Sequence, residues 1–199
     1  SRLSKGPARV REEFLLMKTQ RIPLSVPRIE GNAWKYVKDC LDSEWVSSVG
    51  LYVNRFEESL SRYTGARHAV AGVNGTACLH TALKLLGVGP GDAVLVPALT
   101  FIATANAVAY CGAACVFLDC DDSRYNLDLD RLEEFLKKYR GPRIKAIVPT
   151  HILGYPVDMP RLLKIAKRWD LKVLEDAAES VGSFLGGRHT GTFGDAGVL

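Results

Sequence analysis

The residues best suited to chemistry fall in four short segments. The strongest is Glu175-Asp176-Ala177-Ala178-Glu179-Ser180, directly after the apolar Val173-Leu174. Two adjacent acids behind a buried strand are poor packing elements, and a buried carboxylate needs a partner. A protonated pyridine nitrogen would serve, through a charge-assisted hydrogen bond of roughly 1.5–3 kcal/mol. The competing reading is a pair of acids at a helix N-terminus, favoured by the helix dipole. The second segment is Asn74-Gly75-Thr76. A helix start offers free N–H groups to a phosphate, Gly75 lets a ligand come close, and the Thr76 hydroxyl adds a donor. A plain Asn or Thr cap accounts for the same residues, and the G-x-G-x-x-G pattern of dinucleotide sites is not there. The third segment, Pro97-Ala98-Leu99-Thr100-Phe101, sets an aromatic ring at a strand-to-helix junction. There Phe101 can stack on a flat heterocycle or fill the core. The fourth is Thr150-His151, where the imidazole can bind a ligand or satisfy a loop.

These segments matter because of the elements around them. From residue 67 onward the pattern alternates. An apolar, β-rich run at His68–Val73 leads to a helix over Thr76–Leu86, then a Gly89-Pro90-Gly91-Asp92 turn. Strands follow at Ala93–Val96, Cys115–Leu118, Ile144–Pro149 and Lys172–Glu175. Helices fall between them at Phe101–Cys111, Asp128–Tyr139 and Met159–Trp169. This predicts βαβ units: a mainly parallel sheet covered by helices on both faces, a three-layer α/β fold. In such sheets ligands gather at the carboxyl ends of strands, and all four segments follow strands. Upstream, helical spacing over Asn32–Ser43 puts Trp34, Val37, Cys40 and Leu41 on one face. A second helix over Val53–Tyr63 directs Phe56, Leu60 and Tyr63 inward. Residues 1–21 read as an N-terminal extension with an amphipathic run at Val10–Lys18. Residues 22–66 read as an N-terminal segment with a substrate-side loop, and 67–199 as the main domain. The chain ends on Phe193-Gly194-Asp195-Ala196-Gly197-Val198-Leu199, inside an apolar run, as if cut within a strand.

Composition narrows the function classes. The net charge of +4 comes from 26 basic and 22 acidic residues spread along the chain. No basic stripe with interleaved aromatics suggests nucleic acid. The longest apolar stretch, Ala98–Ala109, is interrupted by Thr100, Thr104 and Asn106 and is too short to span a bilayer, and no secretory signal is visible. Cys40, Cys78, Cys111, Cys115 and Cys120 form no CxxC and have no histidine at ligand spacing. They read as reduced thiols of a cytoplasmic protein without a metal site.

The order of NGTACLHTALKLLGVGPGD, VPALTFIATANAV, HILGYPVDM, EDAAES and GTFGDAG resembles the DegT/StrS-type sugar aminotransferases, which are PLP-dependent enzymes of fold type I. The likeness runs from Ile22 to Leu199. It implies that Gly75 and Thr76 hold the PLP phosphate and Phe101 stacks on the pyridine ring. Asp176 then pairs with the ring nitrogen, and Glu179 lies near the cofactor's 3-oxygen, where many members carry Gln. Ser47, Ser48 and Gly50 resemble the segment that lines the sugar pocket, with His151 a further substrate-side candidate. EWVSSVG and EDAAES look most like enzymes that aminate C4 of UDP-linked 4-keto-6-deoxy sugars of bacillosamine or legionaminic type, and perosamine-type synthases share the pattern. The resemblance implies a homodimer and an amino-acid donor such as glutamate. It places the Schiff-base lysine, the catalytic residue and proton shuttle, a few residues beyond Leu199, so the 199 residues alone are expected to be inactive. Sugar dehydratases of the same family carry His in place of that lysine, and a cofactor-free regulatory role is a third possibility.

Overall fold

The structure, a computed structural model, describes Pro23 and residues 26–199. The expected extension at 1–21 and its amphipathic run lie outside the described residues. The chain divides into two compact units, one ending at Val46 and one spanning Ser47–Leu199. The first contains helix α1 (Ala33–Asp42), whose apolar Trp34, Val37 and Leu41 are exposed.

The second unit carries helices α2 (Leu51–Thr64), α3 (Gly75–Leu85), α4 (Ile102–Tyr110), α5 (Leu129–Lys138) and α6 (Met159–Arg168). Its strands are β1 (Ala93–Pro97), β2 (Ala114–Leu118), β3 (Ile144–Ile147), β4 (Lys172–Asp176), a short hairpin of β5 (Phe184–Leu185) and β6 (Arg188–His189), and β7 (Ala196–Val198). The main sheet has the order β2-β1-β3-β4-β7, and every pair in it is parallel. Burial on both faces explains why β1 is apolar throughout. Val94 and Val96 join Ala146 and Leu174 in a core with Leu79, Leu83, Ala107 and Val108 of α3 and α4. Their neighbours Leu95, Ile147 and Val173 join the opposite core with Leu132 and Leu136 of α5 and Leu162 and Ile165 of α6. Period-two alternation thus sends successive strand residues into two separate cores.

The run at His68–Val73 forms no strand, contrary to expectation. Val70 and Val73 are 84% and 86% exposed, and the Ala71 N–H donates to Glu57 Oε1 at 2.7 Å rather than to a ladder. β-propensity expresses itself only where a neighbouring strand supplies hydrogen bonds and a covered face, and no such neighbour is present among the described residues. The inward face expected for α2 is likewise not covered: Phe56 and Tyr63 are exposed, and Thr64 is the helix's buried residue. Tyr63 does set its ring edge-on to Phe184 and His189 of the hairpin. That hairpin was not anticipated. Its turn is Gly186-Gly187, with φ of +58° and +82°, the left-handed pair that a tight two-residue turn requires.

Candidate active site

The chain runs from β1 to β2 on one side and then returns to place β3 on the other side of β1. The order of the sheet therefore reverses between β1 and β3, and a crevice opens there at the carboxyl ends of the strands. The loops after β1 and β3 flank that crevice, and the loop after β4 lies next to it. Helix α3 delivers its N-terminus to the same edge. Its C-terminal end turns through Gly87, beside Lys145 at the start of β3, and feeds the amino end of β1. Eleven residues at 1.5 Å each then carry the N-terminus about 16 Å back across the sheet. The structure thus brings Gly75, Thr76, Phe101, Asp176 and Glu179 to one edge.

Each of these residues is held locally. Asn74 caps α3, its Oδ1 accepting the Ala77 N–H at 2.9 Å. The N–H groups of Gly75 and Thr76 have no partner among the described residues, and a Cβ added at Gly75 would meet open space. Phe101 precedes α4 and is 69% exposed, so it is no core residue. Asp176 is 4% exposed. Its Oδ2 accepts the Thr104 hydroxyl at 2.6 Å, and its Oδ1 accepts a long 3.3 Å bond from the Ala178 N–H. Burial pushes the Asp176 carboxyl above the usual range, the Thr104 bond opposes this, and the nearby charge of Glu179 adds to the upward push. Glu179 is exposed, and its Oε2 accepts the Leu153 N–H at 2.6 Å. Leu153 adopts φ +49°, in the left-handed region. A cavity of about 550 Å³ opens beside Glu179, lined also by Leu99, Arg124, Tyr125 and Tyr155.

His151 requires a correction. It is fully buried, and both ring nitrogens are engaged. Nδ1 accepts the Val157 N–H at 3.1 Å, so the neutral ring carries its proton on Nε2 and donates it to Glu175 Oε2 at 3.0 Å. No atom of the ring remains for a substrate, and burial at the base of the loop is the reason. Ser47 and Ser48 are exposed, and Gly50 precedes α2. No hydrogen bond links them to the Asp176 cluster.

The first of the two adjacent acids has a role that the sequence did not reveal. Glu175 accepts four hydrogen bonds. Phe193 and Gly194 N–H donate to Oε1 at 2.5 and 2.7 Å, and Gly191 N–H and His151 donate to Oε2 at 2.9 and 3.0 Å. It thereby fixes the loop leading into β7. The glycines of GTFGDAG follow from this closeness: Gly191 has φ +82°, and a Cβ at Gly197 would stand 2.0 Å from the Gly191 carbonyl oxygen. Among the described residues no cluster of His, Cys, Asp and Glu could hold a metal ion, and no helix is long and apolar enough to cross a membrane.

A buried acid with one oxygen poorly satisfied, a helix N-terminus with two free N–H groups and an exposed aromatic ring thus lie on one sheet edge. Comparison with known proteins gives the class: residues 27–199 match the DegT/DnrJ/EryC1/StrS aminotransferase family, and the chain belongs to it. That family is PLP-dependent. The chain is similar to the GDP-perosamine synthases of Caulobacter vibrioides, at 47% identity over 179 residues, and of Escherichia coli O157:H7, at 40% over 174. Those alignments cover 90% and 87% of this chain and 47% of each relative. The chain therefore spans about half the length of the curated relatives it matches. Among solved structures it superimposes on a sugar-aminotransferase candidate of Streptococcus pneumoniae in its PMP form, with a TM-score of 0.80 at 30% identity. That match covers 88% of this chain and 46% of the other.

The residues present fit the cofactor. Asp176 is a buried acid lacking a cationic partner among the described residues, and the space above Gly75 with its free N–H groups suits a phosphate.

Proposed function

We propose that the whole protein transfers an amino group from an amino acid, glutamate by preference, to C4 of a nucleotide-linked 4-keto-6-deoxy sugar for surface-polysaccharide synthesis. The observation that carries the reading is Asp176, a buried carboxylate on the same sheet edge as an exposed aromatic ring and a helix N-terminus whose Gly75 and Thr76 N–H groups are free among the described residues. Bound PLP supplies an electron sink for the carbon that loses or gains a proton. The chain's own residues do the holding. The N–H groups of Gly75 and Thr76 bind the phosphate, Phe101 covers one face of the ring, and Asp176 keeps a proton on the ring nitrogen. Glu179, held by Leu153, lines the cavity, where Leu99, Tyr125 and Tyr155 offer a wall for substrate. Ser47, Ser48 and Gly50 contribute from the segment before α2.

The amine that anchors the cofactor comes from sequence beyond Leu199. In support, Lys145 and Lys172 lie on the amino halves of β3 and β4, and Lys164 and Lys167 lie on α6. The active species is a homodimer with its site at the subunit interface. The perosamine synthases' names support a guanine nucleotide, while another relative's name carries UDP. The test is to express the full-length gene, add PLP and glutamate, and offer GDP- and UDP-linked 4-keto-6-deoxy sugars. Mass spectrometry should find the amino sugar and 2-oxoglutarate in equal amounts. A full-length protein that binds PLP but yields no amino sugar from either substrate would refute the assignment.

A further inference from the structure

A chain of three threonine hydroxyls ends on Asp176. Thr104 Oγ1 lies 2.6 Å from Asp176 Oδ2, Thr100 Oγ1 lies 2.8 Å from Thr104 Oγ1, and Thr150 Oγ1 lies 3.0 Å from Thr100 Oγ1. Thr104, Thr150 and Asp176 are all buried. Each hydroxyl has one proton to give. An ionised Asp176 can only accept, so Thr104 spends its proton there. Thr104 must then accept from Thr100, and Thr100 from Thr150. All three O–H bonds point the same way, towards the carboxylate. Aligned hydroxyls polarise one another and favour the anion at their end.

The ends of the chain are also tied together. Thr150 and Asp176 form an isolated parallel bridge, with Asp176 N–H donating to Pro149 O at 2.9 Å and His151 N–H to Asp176 O at 3.1 Å. The hydroxyl path leaves the loop after β3, crosses the start of α4, and returns to the residue from which the bridge sets out. It is a closed ring at the point where the strand order reverses. With Oδ2 occupied by Thr104, only Oδ1 is left to face a ligand, and its one bond is the long contact from Ala178.

We propose that Thr150, Thr100 and Thr104 form a one-way hydroxyl relay that aims Asp176 and holds it ionised for the cofactor's ring nitrogen, with Thr104 as the positioning residue. The inference rests on the PLP-dependent reading above. The charges that face Asp176 are few. Glu179 follows it on the same loop, and His151, bound to Glu175, stands across the bridge. Helix α4 and β7 bring no charged side chain, and on α3 the nearest candidates, His80 and Lys84, lie about one and two turns in from Thr76. The Thr104 bond is the largest influence opposing the cost of burying this acid, and the Ala178 N–H adds to it.

The test uses the full-length protein with Asp carboxyl carbons labelled for NMR, cofactor-free and PLP-loaded. In the cofactor-free protein, Thr104→Val should raise the titration midpoint of Asp176 by roughly one to two pH units. Thr104→Ser should restore it. Thr100→Val and Thr150→Val, further along the relay, should give smaller shifts in the same direction, and they serve if Thr104→Val does not fold. In the loaded protein, the 15N shift of the ring nitrogen should show its proton lost at lower pH in Thr104→Val than in wild type. An Asp176 midpoint unmoved by any of the three valine variants would overturn the relay. Wild-type protein that fails to bind PLP would instead sink the functional reading, while the cofactor-free titration would still decide the relay.

Discussion

Glu175 and Asp176 are consecutive, both buried, and opposite in circumstance. Glu175 takes four donors, three of them backbone N–H groups of the loop at 191–194, and has no unsatisfied oxygen. Asp176 takes one short bond from a hydroxyl and one long bond from an amide. Successive residues on a strand face opposite sides, so one acid points towards the β7 loop and the other towards the crevice. The lesson is that burial alone does not mark a functional acid. A carboxylate whose acceptor capacity is filled by its own fold is architecture, and one left short of donors is available to a ligand.

The contrast can be broken from either side. The largest effect is expected from Glu175→Ala, which leaves three N–H groups and the His151 ring without an acceptor. Removing one member of such a buried cluster should cost about 3–5 kcal/mol of folding stability, readable by denaturant titration of the full-length protein. Next is Asp176→Asn, which spares packing because the two side chains match in volume. Amino transfer should fall at least about 100-fold, the scale for removing one electrostatic partner at a reacting centre. Cofactor-free protein should respond in the opposite sense. A carboxyl raised above its unfolded value binds more protons when folded, so wild-type stability falls as pH climbs from about 4 through the raised value. The Asp176→Asn variant should therefore melt higher than wild type near neutral pH, and the gap should close in acid. Equal melting temperatures at pH 7 would show that Asp176 is better satisfied than its two bonds suggest.

Smaller effects sharpen the picture. Phe101→Ala should weaken PLP affinity by roughly 2–10-fold, from about 0.5–1.5 kcal/mol of lost stacking. The melting temperature of the cofactor-free protein should hardly move, because the ring is exposed. A large stability loss would return Phe101 to the core. Asn74→Gly should cost only a few tenths of a kcal/mol, since glycine is a tolerated cap, a small lowering of the melting temperature that thermal melts would register.

Much of this was legible in the sequence. The alternation of apolar runs with amphipathic segments located four of the sheet strands and the helices between them, because the central strand β1 is buried on both faces and the strands around it are predominantly apolar. Phe101, Asp176 and Glu179 were legible because each lies at or just after the end of a strand, whereas Gly75 and Thr76 were legible only as a glycine at a helix start, since the run before them forms no strand. What escaped depends on partners far away in the chain. Val70 and Val73 look like strand residues, but a strand exists only beside another. His151 looks like a ligand until Val157 and Glu175 are seen to use both its nitrogens. Thr104 was passed over as a polar break in an apolar stretch, since nothing local shows that it meets an acid 72 positions later. The Gly186-Gly187 hairpin did carry a local signal, which the short flanking strands hid.

The two acids also differ in when their surroundings can exist. Every hydrogen-bond partner of the Asp176 carboxylate has been synthesised by Ala178, whereas Glu175 must wait for Gly194, eighteen positions after Asp176 (194 − 176). On a ribosome adding about 5–20 residues per second, that interval lasts roughly one to four seconds. Through it the nascent chain carries Glu175 with three of its four donors still unmade. The loop at 191–194 thus works as a late-closing latch, and a pause in translation just before it would leave β4 at its most vulnerable to misfolding.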